Sequence, residues 1–214
     1  MENLIQSLAI YAVPVIFAIT VHEAAHGYVA RHFGDPTAWQ LGRISLNPLR
    51  HVDPIGTVVV PGLLLATNSS LLFGWAKPVP VDFGKLRHPK QDMLWVAAAG
   101  PAANLLMAIG WAALVKIAML SPESPASGLL VHMGAAGISI NTSLMLLNLL
   151  PIPPLDGGRI AVSLLPHGLA WKFARLEPYG FVILVALLYF RVLDQILGPL
   201  RHGFMFMLKT LFDL

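Results

Sequence analysis

The five residues His22-Glu23-Ala24-Ala25-His26 bring together side chains able to do chemistry. On a helix, positions four apart share a face, so the two imidazoles stand one turn apart and can chelate a single metal ion. Glu23 projects about 100° round the helix from His22, near the metal without being forced into its coordination shell, and is the natural general base. The chain contains no cysteine, which excludes disulfides and thiolate ligands, so any metal takes nitrogen and oxygen donors. Neutral imidazoles favour zinc, which lowers the pKa of bound water to about 7 and would let Glu23 take its proton.

A catalytic zinc needs a third protein ligand and an open fourth position. Asp156 is the candidate. It lies in Asn148-Leu149-Leu150-Pro151-Ile152-Pro153-Pro154-Leu155-Asp156-Gly157-Gly158-Arg159, where prolines break the helix, glycines allow sharp bends, and the segment could fold back to the metal. An ordinary Asp-Gly turn is the competing reading. His51 and Asp53 also pair a His with an Asp, but they follow Leu46-Asn47-Pro48 and read as turn residues. His32, His88, His132, His167 and His202 fall near segment ends or loops and read as structural. Asn104, with Gly100, Ala103 and Gly110 around it, reads first as helix packing.

The elements that must position these groups are apolar. Charged residues make up 12% of the 214-residue chain, about half the roughly 25% of a soluble domain. The hydrophobic fraction is 56% and the mean hydropathy +0.69, with apolar residues in long blocks. The expected fold class is an all-α polytopic membrane protein of about five transmembrane helices, one re-entrant segment and short edge strands near the site. The candidate segments are Leu4 to Arg31, Pro54 to Phe73, Met93 to Leu120, Leu129 to Leu150 and Pro178 to Leu193, with the stretch after Gly198 either spanning or interfacial. Pro61-Gly62 interrupts the second of these. Loose alternation in 38–46 and the proline-punctuated run 75–81 suggest the edge strands. Without an internal repeat or linker, residues 1–214 read as one membrane-embedded domain, with a catalytic core of about 4–160 and C-terminal helices over about 161–214.

The net charge of +3 forms no continuous basic stripe, so nucleic acid is not an expected partner. The cations read as topology signals instead. The region from Arg31 to Asp92 holds seven Lys or Arg, Arg31 included, none lies in the link after Leu120, and Arg159, Lys172 and Arg175 follow Leu150. By the positive-inside rule both basic regions face the cytoplasm, and the second segment then enters and leaves on one face. No basic n-region or cleavage site marks the N-terminal stretch as a signal peptide. The expected setting is the plasma membrane of a prokaryote, with the site opening towards the cytoplasm.

These motifs resemble those of the site-2 protease family of intramembrane zinc metalloproteases. His22 to His26 is similar to that family's zinc-binding and catalytic motif, and Asn148 to Gly158 to its second motif. The resemblance implies that Asp156 is the third zinc ligand and that Asn148 holds substrate backbone. Gly100-Pro101-Ala102-Ala103-Asn104 and Gly74-Trp75-Ala76-Lys77-Pro78-Val79-Pro80 are further family-like pieces, so the likeness covers roughly 20–160. It implies one zinc ion, a transmembrane protein or peptide as substrate, the lipid bilayer as partner, and local unwinding of the substrate helix, with strand addition beside the site. The link Ser121 to Gly128 is too short for the PDZ domain some members insert. Neither a nucleotide-binding module after the fifth segment nor a span before the first is expected, which describes a compact form.

Two other functions compete. A metal transporter would also place His and carboxylate groups within the membrane, but would need a second ligand cluster along its pore. A silent binder of membrane helices leaves Glu23 beside two His without a purpose.

Overall fold

Uninterrupted apolar runs close their own backbone hydrogen bonds as helices, and in lipid there is no alternative partner for those groups. In the structure, a computed structural model describing residues 2–59 and 76–214, the first run is α1, Glu2–His32, of 31 residues. A short helix α2, Thr37–Gln40, follows. The next long helices are α3, Pro89–Met119, and α4, Ser127–Asn148. Of the remaining four, α5 is Asp156–Leu164, α6 His167–Ala174, α7 Glu177–Tyr189 and α8 Val192–Phe212.

Three of these are long and apolar enough to cross a membrane: Ile10–His32 within α1, then α3 and α4. They pack on one another, and α8 lies against α3 and α4. Small residues are prominent in these contacts, as close approach of helices in lipid favours. Ala108 and Ala112 of α3 are fully buried with Ile138 of α4 and Leu208 of α8. A Cβ on Gly137 of α4 would meet the Trp111 ring at 2.5 Å, so that glycine sets how closely α3 and α4 approach. Phe17, Trp95 and Leu106 point outwards, the last 68% exposed, which suits a protein whose solvent is hydrocarbon.

The sequence reading needs two corrections here. About five spans are expected, but the described residues contain three, or four if the bent pair α7 and α8 forms one crossing. Helix α7 has 13 residues, about 20 Å at 1.5 Å per residue, short of a hydrocarbon core of about 30 Å. Arg191 then takes a left-handed conformation, φ 57°, and α8 leaves at 79°. In place of edge strands, 38–46 begins inside α2, and residues 76–81 form neither helix nor strand, the prolines among them favouring an extended path; no strand occurs among the described residues. Polar groups of α1 and of the preceding loop occupy the hydrogen bonds of that extended segment. The expected re-entrant segment is described only for Pro54–Val59, a short π-helical turn; the rest of it lies outside the described residues.

Candidate metal centre

His22 and His26 leave α1 towards α3, and Asp156 opens α5 after the proline-rich turn that follows α4. The three meet. His22 Nε2 lies 3.1 Å from His26 Nε2 and 3.2 Å from Asp156 Oδ2, and His26 Nε2 lies 3.4 Å from Asp156 Oδ1. One ligand atom from each falls within 4.8 Å of the others. All three side chains are nearly buried.

The close approach depends on glycine. A Cβ on Gly100 of α3 would stand 2.5 Å from His22 Cε1 and 2.5 Å from His26 Nε2, so only a residue without one lets α3 pass beneath the imidazoles. Gly157 and Gly158, directly after Asp156, lie against the backbone of Leu149 and Pro153, which allows α5 to fold back on the end of α4.

The donor set fits zinc. His26 Nδ1 faces the carbonyl of Val96 at 2.7 Å, an acceptor only, so Nδ1 carries the proton and Nε2 a lone pair. His22 Nδ1 is 2.6 Å from Asn104 Oδ1. Asp156 Oδ2 is buried with no hydrogen bond, although an imidazole nitrogen is within reach. Lone pairs crowded on one point repel unless a cation lies among them, and two imidazoles with one carboxylate are an ordinary catalytic zinc set.

Glu23 sits in the same cavity of about 160 Å³, which is also lined by Val79, Phe83, Asn148 and Arg159. Its Oε2 accepts the backbone N–H of Val79 at 2.7 Å. Arg159 closes one side, its guanidinium 5.0 Å from the Phe83 ring centre and 3.8 Å from Glu177 Oε1. Asn148 spends its Nδ2 on Leu144 O at 3.0 Å within α4, leaving its side-chain oxygen for other donors.

The extended segment is itself held. Lys77 N donates to His51 O at 2.9 Å, and Arg43 donates to the carbonyls of Lys77 and Pro78. His51 thus has the loop role expected of it, and Asp53 Oδ1 accepts from Ile55 N and Gly56 N instead of joining the metal cluster. At its far end, Asp35 accepts from Thr37 N, Thr37 Oγ1 and Asp82 N. Burial pushes the Asp35 carboxyl up, but the Thr37 and Asp82 hydrogen bonds and the Lys85 charge outweigh it and hold it below the usual aspartate range.

Sequence reasoning brought out His22, Glu23, His26, Asp156 and Asn148, and all five line this cavity. It read Asn104 and Gly100 first as helix packing, without linking them to the histidines, and did not single out the Val79 amide. The signal for Asn104 was present, since a carboxamide within an apolar span is costly unless it has work to do.

A profile of Peptidase family M50 matches residues 111–190. YwhC of Bacillus subtilis, named as a candidate zinc metalloprotease, is 39% identical over 194 residues, which cover 89% of this chain and 85% of that protein. Rip2 of Mycolicibacterium smegmatis, named in the same way, is 30% identical over 191 residues, 88% of this chain and 70% of its own. Rip2 of Mycobacterium tuberculosis is 29% identical over 201 residues, 93% and 71% respectively. No solved structure matches. With this identity running along most of both chains, the protein belongs to peptidase family M50, the site-2 protease family.

Proposed function

We propose that this chain is an intramembrane zinc metalloprotease in which His22, His26 and Asp156 hold one zinc ion and Glu23 is the general base. One observation carries the reading: residues far apart in sequence present their lone pairs to one buried point, with a carboxylate beside them in the same cavity. When bound, zinc supplies a Lewis acid and makes water nucleophilic at neutral pH. Glu23, tethered through Oε2 by the Val79 amide, keeps its other oxygen to take the proton of the attacking water and return it to the leaving amine.

The substrate is a transmembrane segment that unwinds before cleavage. An intact helix hides its carbonyls in its own hydrogen bonds, so a scissile carbonyl becomes available to the site only once the helix opens. The side-chain oxygen of Asn148 accepts a backbone N–H of the unwound segment, and the extended residues near Val79 pair with it. The chain acts as one membrane-embedded domain in the plasma membrane of a prokaryote, the site opening to the cytoplasm on the side of the basic loops. Transport is disfavoured, because His22, His26 and Asp156 form the one group of three or more candidate ligands among the described residues.

The test is to incubate the detergent-purified protein with a model transmembrane peptide, with and without a zinc chelator. Cleavage should stop on chelation. Glu23→Gln should keep zinc and lose roughly 100- to 10,000-fold in rate, and Asp156→Ala should lose zinc. Cleavage that survives the chelator, or an Asp156→Ala protein with full zinc and full activity, would refute the assignment.

A further inference from the structure

We infer that Asn104 is a positioning residue for the metal site: its carboxamide fixes His22 in the tautomer that turns the Nε2 lone pair towards Asp156. This rests on the metal reading above and adds a residue to it. The orientation follows from two backbone carbonyls, which can only accept. Asn141 Nδ2 donates to Gly137 O at 2.9 Å, so Asn141 Oδ1 is left facing Asn104. Asn104 Nδ2 donates to that oxygen at 3.0 Å and to Ala18 O at 3.3 Å. Its Oδ1 is therefore on the side of His22, 2.6 Å from Nδ1, and an amide oxygen beside a ring nitrogen requires Nδ1 to hold the proton.

The opposite arrangement is costly. A flipped Asn104 would turn Oδ1 onto two acceptors and give its N–H to His22 Nδ1, which would move the ring proton to Nε2 and remove the lone pair. Asn104 and Asn141 are both 0% exposed, so no water relieves the mismatch, and unpaired buried amides are strongly disfavoured. The relay joins all three spans: Ala18 and His22 on α1, Asn104 on α3, Asn141 and Gly137 on α4. Helix packing alone explains a small residue at 104, but not a carboxamide whose every polar group is paired in one sense.

The experiment measures zinc affinity in detergent by chelator competition for the wild type, Asn104→Leu, Asn104→Asp and His22→Ala. It is joined to ¹⁵N-histidine NMR of the metal-free wild type and to absorption spectra of cobalt-loaded protein. Asn104→Leu removes the acceptor while keeping a side chain branched at the same carbon and should weaken zinc binding about 10- to 100-fold, the range for lost outer-shell partners of a ligating His. It should also alter the cobalt spectrum. Asn104→Asp keeps the acceptor towards His22 but gives up the amide donor to Asn141 Oδ1 and Ala18 O, so it should recover part of the affinity that Asn104→Leu loses. The NMR spectrum should show His22 protonated at Nδ1. Wild-type affinity and an unchanged cobalt spectrum in Asn104→Leu, or His22 protonated at Nε2, overturn the inference. If His22→Ala loses zinc while Asn104→Leu keeps it, only the role of Asn104 falls. If His22→Ala binds as tightly as wild type, the metal reading itself falls. Should Asn104→Leu not fold, the wild-type NMR decides.

Discussion

The backbone N–H of Val79 donates to Glu23 Oε2 across 2.7 Å, and it is the single N–H in Pro78-Val79-Pro80, because both neighbours are prolines. The prolines restrict the chain to an extended path. His51 and Arg43 hold that path from the other side. A loop distant in sequence thereby sets where Glu23, the proposed general base, points.

Replacing Val79 by proline deletes that donor while leaving every ligand in place. A hydrogen bond to a charged group contributes about 1.5–3 kcal/mol, so kcat should fall roughly 10- to 150-fold with zinc content unchanged. Val79→Ala, which keeps the amide, should lose far less. Peptide-cleavage kinetics beside metal analysis distinguish the two, and equal rates for both variants would remove the amide from the account.

Gly100→Ala inserts a methyl group where His22 and His26 already stand 2.5 Å away. The imidazoles or α3 must move, at a cost of about 1–3 kcal/mol for overpacking. Zinc affinity should drop, whereas Gly110→Ala on the same helix, with nothing within 4 Å of its added Cβ, should be neutral. Chelator competition on the two variants reads the difference.

Asp35 links pH to the loop that carries Val79. Its folded pKa lies below the unfolded value of about 3.9 because Thr37 and Asp82 hydrogen bonds and Lys85 outweigh burial. The unfolded state therefore binds more protons near that value. The stabilisation is complete above about pH 4 and is lost as pH falls through the lower, folded pKa. Asp35→Asn should cost about 1–3 kcal/mol at pH 7, and the gap to wild type should narrow below about pH 4. Thermal unfolding of both proteins in detergent at the two pH values checks this, and a constant gap would be the contrary result.

The absence of cysteine makes single-cysteine labelling clean. Ser124 in the link after α3 and Lys172 on α6 are both exposed. With the basic regions on the cytoplasmic face, Ser124→Cys should react with an impermeant maleimide in intact cells, and Lys172→Cys only after lysis. Labelling of both from the same side would reverse or break the proposed topology.

His22, Glu23 and His26 were legible because helix periodicity is local: four residues make a turn wherever the helix lies, and a carboxylate between two imidazoles in an apolar run is too costly to be idle. Asp156 was a candidate for a similar reason, since Pro restricts the backbone and Gly frees it whatever surrounds them. The expected edge strands fail at 38–46, where Thr37–Gln40 is helical. They fail again over 76–81, where the backbone groups bond to Glu23, His51 and Arg43 instead of to a strand. Hydropathy around Pro178 to Leu193 likewise carried no sign of the 79° bend at Arg191.

By itself the amino-acid order determined an apolar helical chain, a two-histidine turn with a glutamate between, and a carboxylate able to join them, since each follows from local geometry or from the cost of burying charge. Only the tertiary structure decided that Asp156 reaches the histidines, that Gly100 makes room for them, that Asn104 orients His22 and that Val79 holds Glu23. Those relations link residues dozens of positions apart, and they arise from how the helices pack, which no local rule specifies.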